Sequence, residues 1–163
     1  MSRELHGVHI WLQHGGHVGH ASLTVRGNYF SFWPDTDSGK KDLKTKRSHD
    51  GSLMEYIEDD IQAEGMVLPK TYELHDLDEQ AVITYVRGVE ENLPRYQLAR
   101  NNCSHVIAAA LIAGAGRKPS FIPHAGSYGR LGRVAGIGIW TPDMVQKFVL
   151  ELGGRLTHDF KGE

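Results

Sequence analysis

The stretch His20-Ala21-Ser22-Leu23-Thr24-Val25-Arg26-Gly27-Asn28-Tyr29-Phe30-Ser31-Phe32-Trp33-Pro34-Asp35 alternates apolar and polar residues on either side of a Gly-Asn pair. A period of two marks strands with one buried face, and a two-residue link of this composition joins antiparallel strands. With Gly27-Asn28 as the link, Arg26 faces Tyr29, Val25 faces Phe30, Leu23 faces Phe32 and His20 faces Asp35. Ala21, Leu23, Val25, Phe30 and Phe32 then share an apolar face. His20, Ser22, Thr24, Tyr29, Ser31, Trp33 and Asp35 share the other.

Upstream, Val8-His9-Ile10-Trp11-Leu12 reads as a further strand, joined to the hairpin through the glycine-rich turn Gly15-Gly16-His17-Val18-Gly19. Downstream, residues 36–52 are polar and basic, with Lys40, Lys41, Lys44, Lys46 and Arg47. No aromatic residue interleaves with these charges, so they read as a solvated loop rather than an anion site. Residues 53–64 suit a short acidic helix, and Lys70-Thr71-Tyr72-Glu73-Leu74 a strand. Asp78 can cap a helix running to Glu91, with Val82, Tyr85, Val86 and Val89 at helical spacing. Asn102 precedes the aliphatic run Cys103-Ser104-His105-Val106-Ile107-Ala108-Ala109-Ala110-Leu111-Ile112, a buried helix stopped by Gly114 and Gly116. Thr141 and Pro142 open a last helix that ends at Gly153-Gly154. The sequence therefore predicts one α+β domain over residues 1–163, a small antiparallel sheet packed against the helix that bears the cysteine.

Composition narrows the function. The 163 residues suit a single core, and a net charge of −2 offers no general attraction to nucleic acid or anionic membrane. No apolar run approaches the about 20 residues that span a bilayer, so no transmembrane segment is expected. The amino-terminal residues hold no signal-peptide core, which leaves the producer's cytoplasm or a specialised secretion system. A single cysteine excludes an internal disulfide framework and a multi-cysteine zinc site.

That cysteine, Cys103, falls in the first turn of a helix capped by Asn102. Free backbone N–H groups and the helix dipole there stabilise a thiolate and could also stabilise an oxyanion. A small buried residue is the plainer reading of a lone cysteine. Against it stands a resemblance. Tyr96-Gln97-Leu98-Ala99-Arg100-Asn101-Asn102-Cys103-Ser104-His105-Val106 resembles the Asn-Cys motif of circularly permuted papain-like hydrolases: relatives of NlpC-type peptidases, PPPDE isopeptidases and the lecithin retinol acyltransferase group. In these families a histidine at the start of a strand precedes the cysteine, and Gly19-His20-Ala21-Ser22-Leu23-Thr24-Val25 is similar to that histidine motif. Phe32-Trp33-Pro34 and Trp140-Thr141-Pro142 also look like bacterial toxin-type members, including type VI secretion effectors.

The resemblance implies a permuted papain-like thiol hydrolase in which Cys103 is the nucleophile and His20 the general base. Asp35 is the expected orienting group from the hairpin register, with Asp37 and Ser31 as alternatives. Asn102, Gln13 and Trp33 are the candidate oxyanion or site-lining residues. The expected substrate is a peptide-like amide: a peptide, an isopeptide or a peptidoglycan cross-link. An immunity protein or secretion carrier is the expected partner. An acyltransferase on the same scaffold and a non-catalytic binding module are the other two readings.

The remaining histidines fit less well. His105 lies two residues past Cys103 on the same helix and points elsewhere. A metal set of His14, His17 and His20 beside Asp35 or Asp37 matches no standard zinc spacing, so neither metal nor other cofactor is expected. Gly126, Gly129, Gly132, Gly136 and Gly138, with Arg117, Lys118, Arg130 and Arg133, suit a substrate-binding or lid loop. No strand-loop-helix pattern with a phosphate-binding lysine occurs.

Overall fold

The computed structural model of the chain describes residues 6–15, 17–34, 48–97, 101–128 and 136–158. Among these, the alternating segments form the strands β1 (His6–Trp11), β2 (His20–Val25) and β3 (Asn28–Pro34). They are followed by β4 (Ser48–His49), β5 (Gly51–Met54) and helix α1 (Ile57–Ala63). Next come β6 (Lys70–Leu74), α2 (Glu79–Glu91), β7 (Tyr96–Gln97) and α3 (Cys103–Ala115). A 3-10 turn (Gly126–Tyr128), α4 (Pro142–Glu151) and β8 (Arg155–His158) complete the order. Six strands make one antiparallel sheet in the order β5-β3-β2-β1-β6-β8, and β4 pairs separately with β7. The class is α+β, as the sequence predicts.

The sheet has two unlike faces, as its alternation dictates. Val8, Ile10, Ala21, Leu23, Val25, Phe30, Phe32, Tyr72 and Leu74 line one face and are all buried. Helices α2, α3 and α4 cover that face with Val82, Val86, Ile107, Leu111, Val145 and Phe148. Each fully buried aliphatic or aromatic side chain of this kind contributes about 1.5–3 kcal/mol of transfer free energy. Helix α3 is apolar on nearly every side and therefore central. Its Gly114 lies inside the helix rather than ending it, because a Cβ there would stand 2.5 Å from Val82 Cγ2 on α2. The helix closes one turn fraction later at Gly116, where φ is 67°.

The hairpin closes earlier than its composition suggests. Arg26 (φ 49°) and Gly27 (φ 73°) are the two link residues, and Asn28 already belongs to β3. Positive φ at both central positions is the turn whose twist matches paired strands. Val25 therefore faces Asn28, Thr24 faces Tyr29 and Leu23 faces Phe30, two residues out from the expected register. An even shift keeps every side chain on its expected face while changing its cross-strand neighbour. Asp35 was the neighbour that register assigned to His20, and it lies outside the described residues, as does Asp37.

Two further elements differ from expectation. Residues 51–54 form the edge strand β5 instead of loop and helix, so the acidic helix starts only at Ile57. Arg155–His158 form β8 after the Gly153-Gly154 turn, a four-residue edge strand too short to show alternation. The Asp78 cap, by contrast, forms as read: its carboxylate accepts from the Ala81 N–H at 3.1 Å.

Gly19 fixes the chain's entry into β2. Its φ is +89°, and a Cβ there would lie 2.4 Å from the Trp11 carbonyl oxygen and 3.1 Å from Pro142 Cγ. Because the obstruction is backbone, it cannot turn aside. Gly19→Ala is expected to destabilise the protein by about 3 kcal/mol in urea unfolding.

Candidate active site

The polar face of the sheet is covered in turn by α1. Along that short helix Ile57, Asp60, Ile61 and Glu64 fall at helical spacing on one stripe. Asp60 and Glu64 are buried, while Glu58 and Asp59 are exposed. Asp60 is thereby pressed against the polar residues of β2 and β3. A buried carboxylate is tolerated only when its oxygens are hydrogen-bonded, and here four side chains do so. Ser31 Oγ donates to Oδ2 at 2.5 Å, Trp33 Nε1 donates to Oδ1 at 2.6 Å, and the Tyr29 hydroxyl also donates to Oδ2. His20 Nε2 lies 3.1 Å from Oδ2 and 2.7 Å from Ser31 Oγ.

His20 is 1% exposed and sits between two tryptophans. Its ring stacks on Trp33 with centroids 4.2 Å apart and tilts against Trp11 at 5.6 Å. These walls hold the imidazole plane, so its two nitrogens have fixed directions. Nε2 is taken by Asp60 and Ser31. Cys103 is the other group that acts on the ring electrostatically, and Nδ1 is the nitrogen that Asp60 and Ser31 leave open. Burial alone would lower the affinity of His20 for a proton. The electrostatic pull of Cys103 and Asp60, with the hydrogen bond to Asp60, overcomes that, raising its pKa from 6.5 to about 10. Asp60 moves the other way: despite its burial, His20, Ser31 and Tyr29 hold it below the usual carboxylate range.

Cys103 arrives from the opposite side of the sheet, at the N-terminus of α3. Asn102 caps the helix as predicted, its Oδ1 accepting from the His105 N–H at 2.9 Å. Its Nδ2 donates to the Trp140 carbonyl at 2.9 Å, which ties the cysteine helix to the segment before α4. The Val106 N–H returns to Asn102 O at 3.3 Å. In the first turn, Cys103 and Ser104 are the residues whose N–H groups this cap does not take. They are nearest to the sulfur, and an oxyanion formed on a carbonyl attacked by Sγ would meet them first.

The remaining sequence candidates fall into place around this line. Trp33 lines the site directly. Gln13 is exposed in the turn after β1. His105 points away from Cys103 and joins the cap, accepting from the Asn102 N–H at 3.5 Å. Burial lowers its pKa to about 4 despite a backbone bond to Gly138. His14 and His17 do not converge with His20; they stack on each other at 4.8 Å and face Glu64. Among the described residues no cluster of three or more His, Cys, Asp or Glu is arranged to hold a metal. Of the proposed lid loop, residues 129–135 lie outside the described residues.

Asp60 is the residue that the sequence reading missed. The signal was present: a carboxylate on the same helical stripe as Ile57 and Ile61 faces inward, whereas its acidic neighbours do not. A second histidine, His9, shares the polar face and joins three strands through Thr24 Oγ1 and Thr71 Oγ1, each at 2.8 Å. Burial keeps it neutral, its pKa lowered to about 4 against the pull of Asp60. A cleft of about 710 Å³ at the far end of the hairpin, between β3, β5 and α2, reaches Tyr29 but not Cys103 or His20.

Comparison of the chain with protein-family models, with curated proteins and with solved structures gives no match. The reading of the site therefore rests on its chemistry. A thiol at a helix N-terminus, a buried imidazole and a buried carboxylate make up the candidate site, residue types able to serve as nucleophile, base and orienting group.

The shifts fix the pH dependence of stability. His20, raised from 6.5 to about 10, contributes stability fully below pH 6.5 that is lost as the pH rises through about 10. His9 and His105, lowered from 6.5 to about 4, contribute stability above pH 6.5 that is lost as the pH falls through about 4. Asp60 adds to the acid loss below its ordinary value of 3.8. Urea unfolding across this range is expected to peak near pH 6.5, and Asp60→Asn to flatten the alkaline limb.

Proposed function

We propose that the protein is a cysteine hydrolase of permuted papain-like type, acting on an amide carbonyl through Cys103, His20 and Asp60. The observation that carries this reading is that His20, walled by two tryptophans, has its Nε2 bonded to Asp60 and Ser31 and has Cys103 as its other electrostatic neighbour. A merely buried cysteine has no use for an ionisable partner held at such desolvation cost. Asp60 takes the orienting role that the sequence assigned to Asp35, and Ser31, already an alternative for that role, assists it.

The steps follow from these groups. In the reactive pair the Cys103 proton resides on His20, whose pKa is raised to about 10, and Asp60 stabilises that imidazolium at Nε2. The thiolate attacks the carbonyl carbon, and the Cys103 and Ser104 N–H groups receive the oxyanion. His20 then gives the proton to the leaving amine as the C–N bond breaks, which leaves an acyl-thioester on Cys103. Water, deprotonated by His20, attacks that thioester and releases the acid and the free thiol. Asp60 and the tryptophan walls keep the ring orientation through both halves. The substrate class, a peptide, isopeptide or peptidoglycan amide, and the role of an exported antibacterial or host-directed effector with a cognate immunity protein, are drawn from the motif resemblance.

The test is expression of wild type and Cys103→Ala in the cytoplasm and, separately, directed to the periplasm. Lysis confined to periplasmic wild type supports a cell-wall amide, and toxicity confined to the cytoplasm a protein amide. A Cys103→Ala protein as toxic as wild type, with both equally folded, would sink the mechanism. Once a substrate is in hand, Asp60→Asn is expected to lower kcat by about a hundred- to ten-thousand-fold with little change in KM.

A further inference from the structure

Among the described residues, Glu64 is the other buried carboxylate of α1, 3% exposed and one helical turn beyond Asp60. The hydrolytic steps make no use of it. Its Oε2 lies 3.0 Å from His14 Nε2 and 3.8 Å from His17 Nδ1. The two imidazoles stack with centroids 4.8 Å apart and planes 21° apart. Their backbones also exchange both hydrogen bonds, His14 N–H to His17 O at 3.1 Å and the reverse at 2.6 Å. The turn between β1 and β2 is thus pinched shut, and both of its sides present a ring to one carboxylate oxygen.

The position of this cluster gives it a role. His17 stands three residues before His20, and His14 three residues after Trp11, the wall of the His20 ring. Glu64 is the C-cap residue of α1, its N–H bonded to the Asp60 carbonyl at 2.9 Å. One carboxylate therefore joins the chain entering His20 to the helix that delivers Asp60. A stable core does not require such a group, since well-packed apolar residues serve as well or better at buried polar positions. A hydrogen-bonded carboxylate differs from them in fixing direction.

We propose that Glu64 is a positioning residue: with His14 and His17 it clamps the turn before His20 onto the last turn of α1, and so sets the bond between His20 and Asp60. The inference rests on the hydrolase reading of that bond, although its test does not need turnover. The titratable groups facing His20 are Cys103 and Asp60; Asp60 also faces Tyr29 and feels His9; Glu64 faces His14 and His17.

The experiment follows the His20 imidazole by NMR titration, and the iodoacetamide alkylation rate of Cys103 against pH, in Glu64→Ala, Glu64→Gln and His14→Ala. Glu64→Ala is expected to lower the His20 midpoint by about one pH unit, because the Asp60 carboxylate is no longer held against it. The acid limb of alkylation should move to higher pH in parallel. Glu64→Gln retains an acceptor oxygen for His14 and should restore both readouts most of the way. His14→Ala should match Glu64→Ala, and the double variant should be no worse than either single one. If Glu64→Ala does not fold, the His14→Ala and Glu64→Gln comparison decides alone. A His20 midpoint unchanged in His14→Ala, or a lower Tm in Glu64→Ala with a wild-type His20 titration, overturns the proposal. Failure of the hydrolase reading would show instead as activity retained without Cys103, with these titrations unaffected.

Discussion

The buried carboxylate of Asp60 is the constraint around which the polar half of this molecule is arranged. A charge removed from water must be met by donors on all sides, and Tyr29, Ser31, Trp33 and His20 supply them from two adjacent strands. Each of those donors is fixed in turn by the sheet that carries it. His20 cannot rotate without abandoning Asp60, and Trp33 cannot leave without exposing both. The apolar face of the same strands, packed against α2, α3 and α4, holds the register that makes the polar meeting possible. Stability and chemistry thus share one sheet, with a different face for each.

Helix α3 brings the remaining group to this arrangement. Its apolar body is buried against the core face, which leaves its position little freedom, and Asn102 anchors its first turn to Trp140. The sulfur is consequently placed by burial of Ile107 and Leu111 further along the helix, and not by any strong bond of its own. In the proposed mechanism a nucleophile held in this way keeps its lone pairs available. The imidazole, by contrast, is held through Nε2 by Asp60 and Ser31 and on its faces by Trp11 and Trp33.

Much of this was legible in the sequence where periodicity carried the information. The alternation of residues 20–34 predicted which side chains share a face, and Asn102 before an aliphatic run predicted the start of the cysteine helix. Those two patterns placed Cys103 at a helix start and His20 at a strand start; their proposed roles came from the motif resemblance. The acid did not, because the pairing of His20 with Asp60 spans 40 residues and depends on how α1 folds back over the sheet. No local rule sets that fold-back; it is seen only in the tertiary bonds that Asp60 makes with Tyr29, Ser31, Trp33 and His20. The exact link of the hairpin was also beyond composition, since Gly27-Asn28 and Arg26-Gly27 both contain the glycine such a turn needs.

The two-residue shift in that hairpin has a meaning for how such a site can change. A strand pair that slips by an even number keeps every side chain on its own face while giving both faces new cross-strand neighbours. A slip by one would turn Leu23 and Phe30 to the polar side and end the fold. Changes of register in this hairpin are therefore limited by parity. Even ones keep the apolar residues facing the helices, so they re-pair the strands without turning the sheet over.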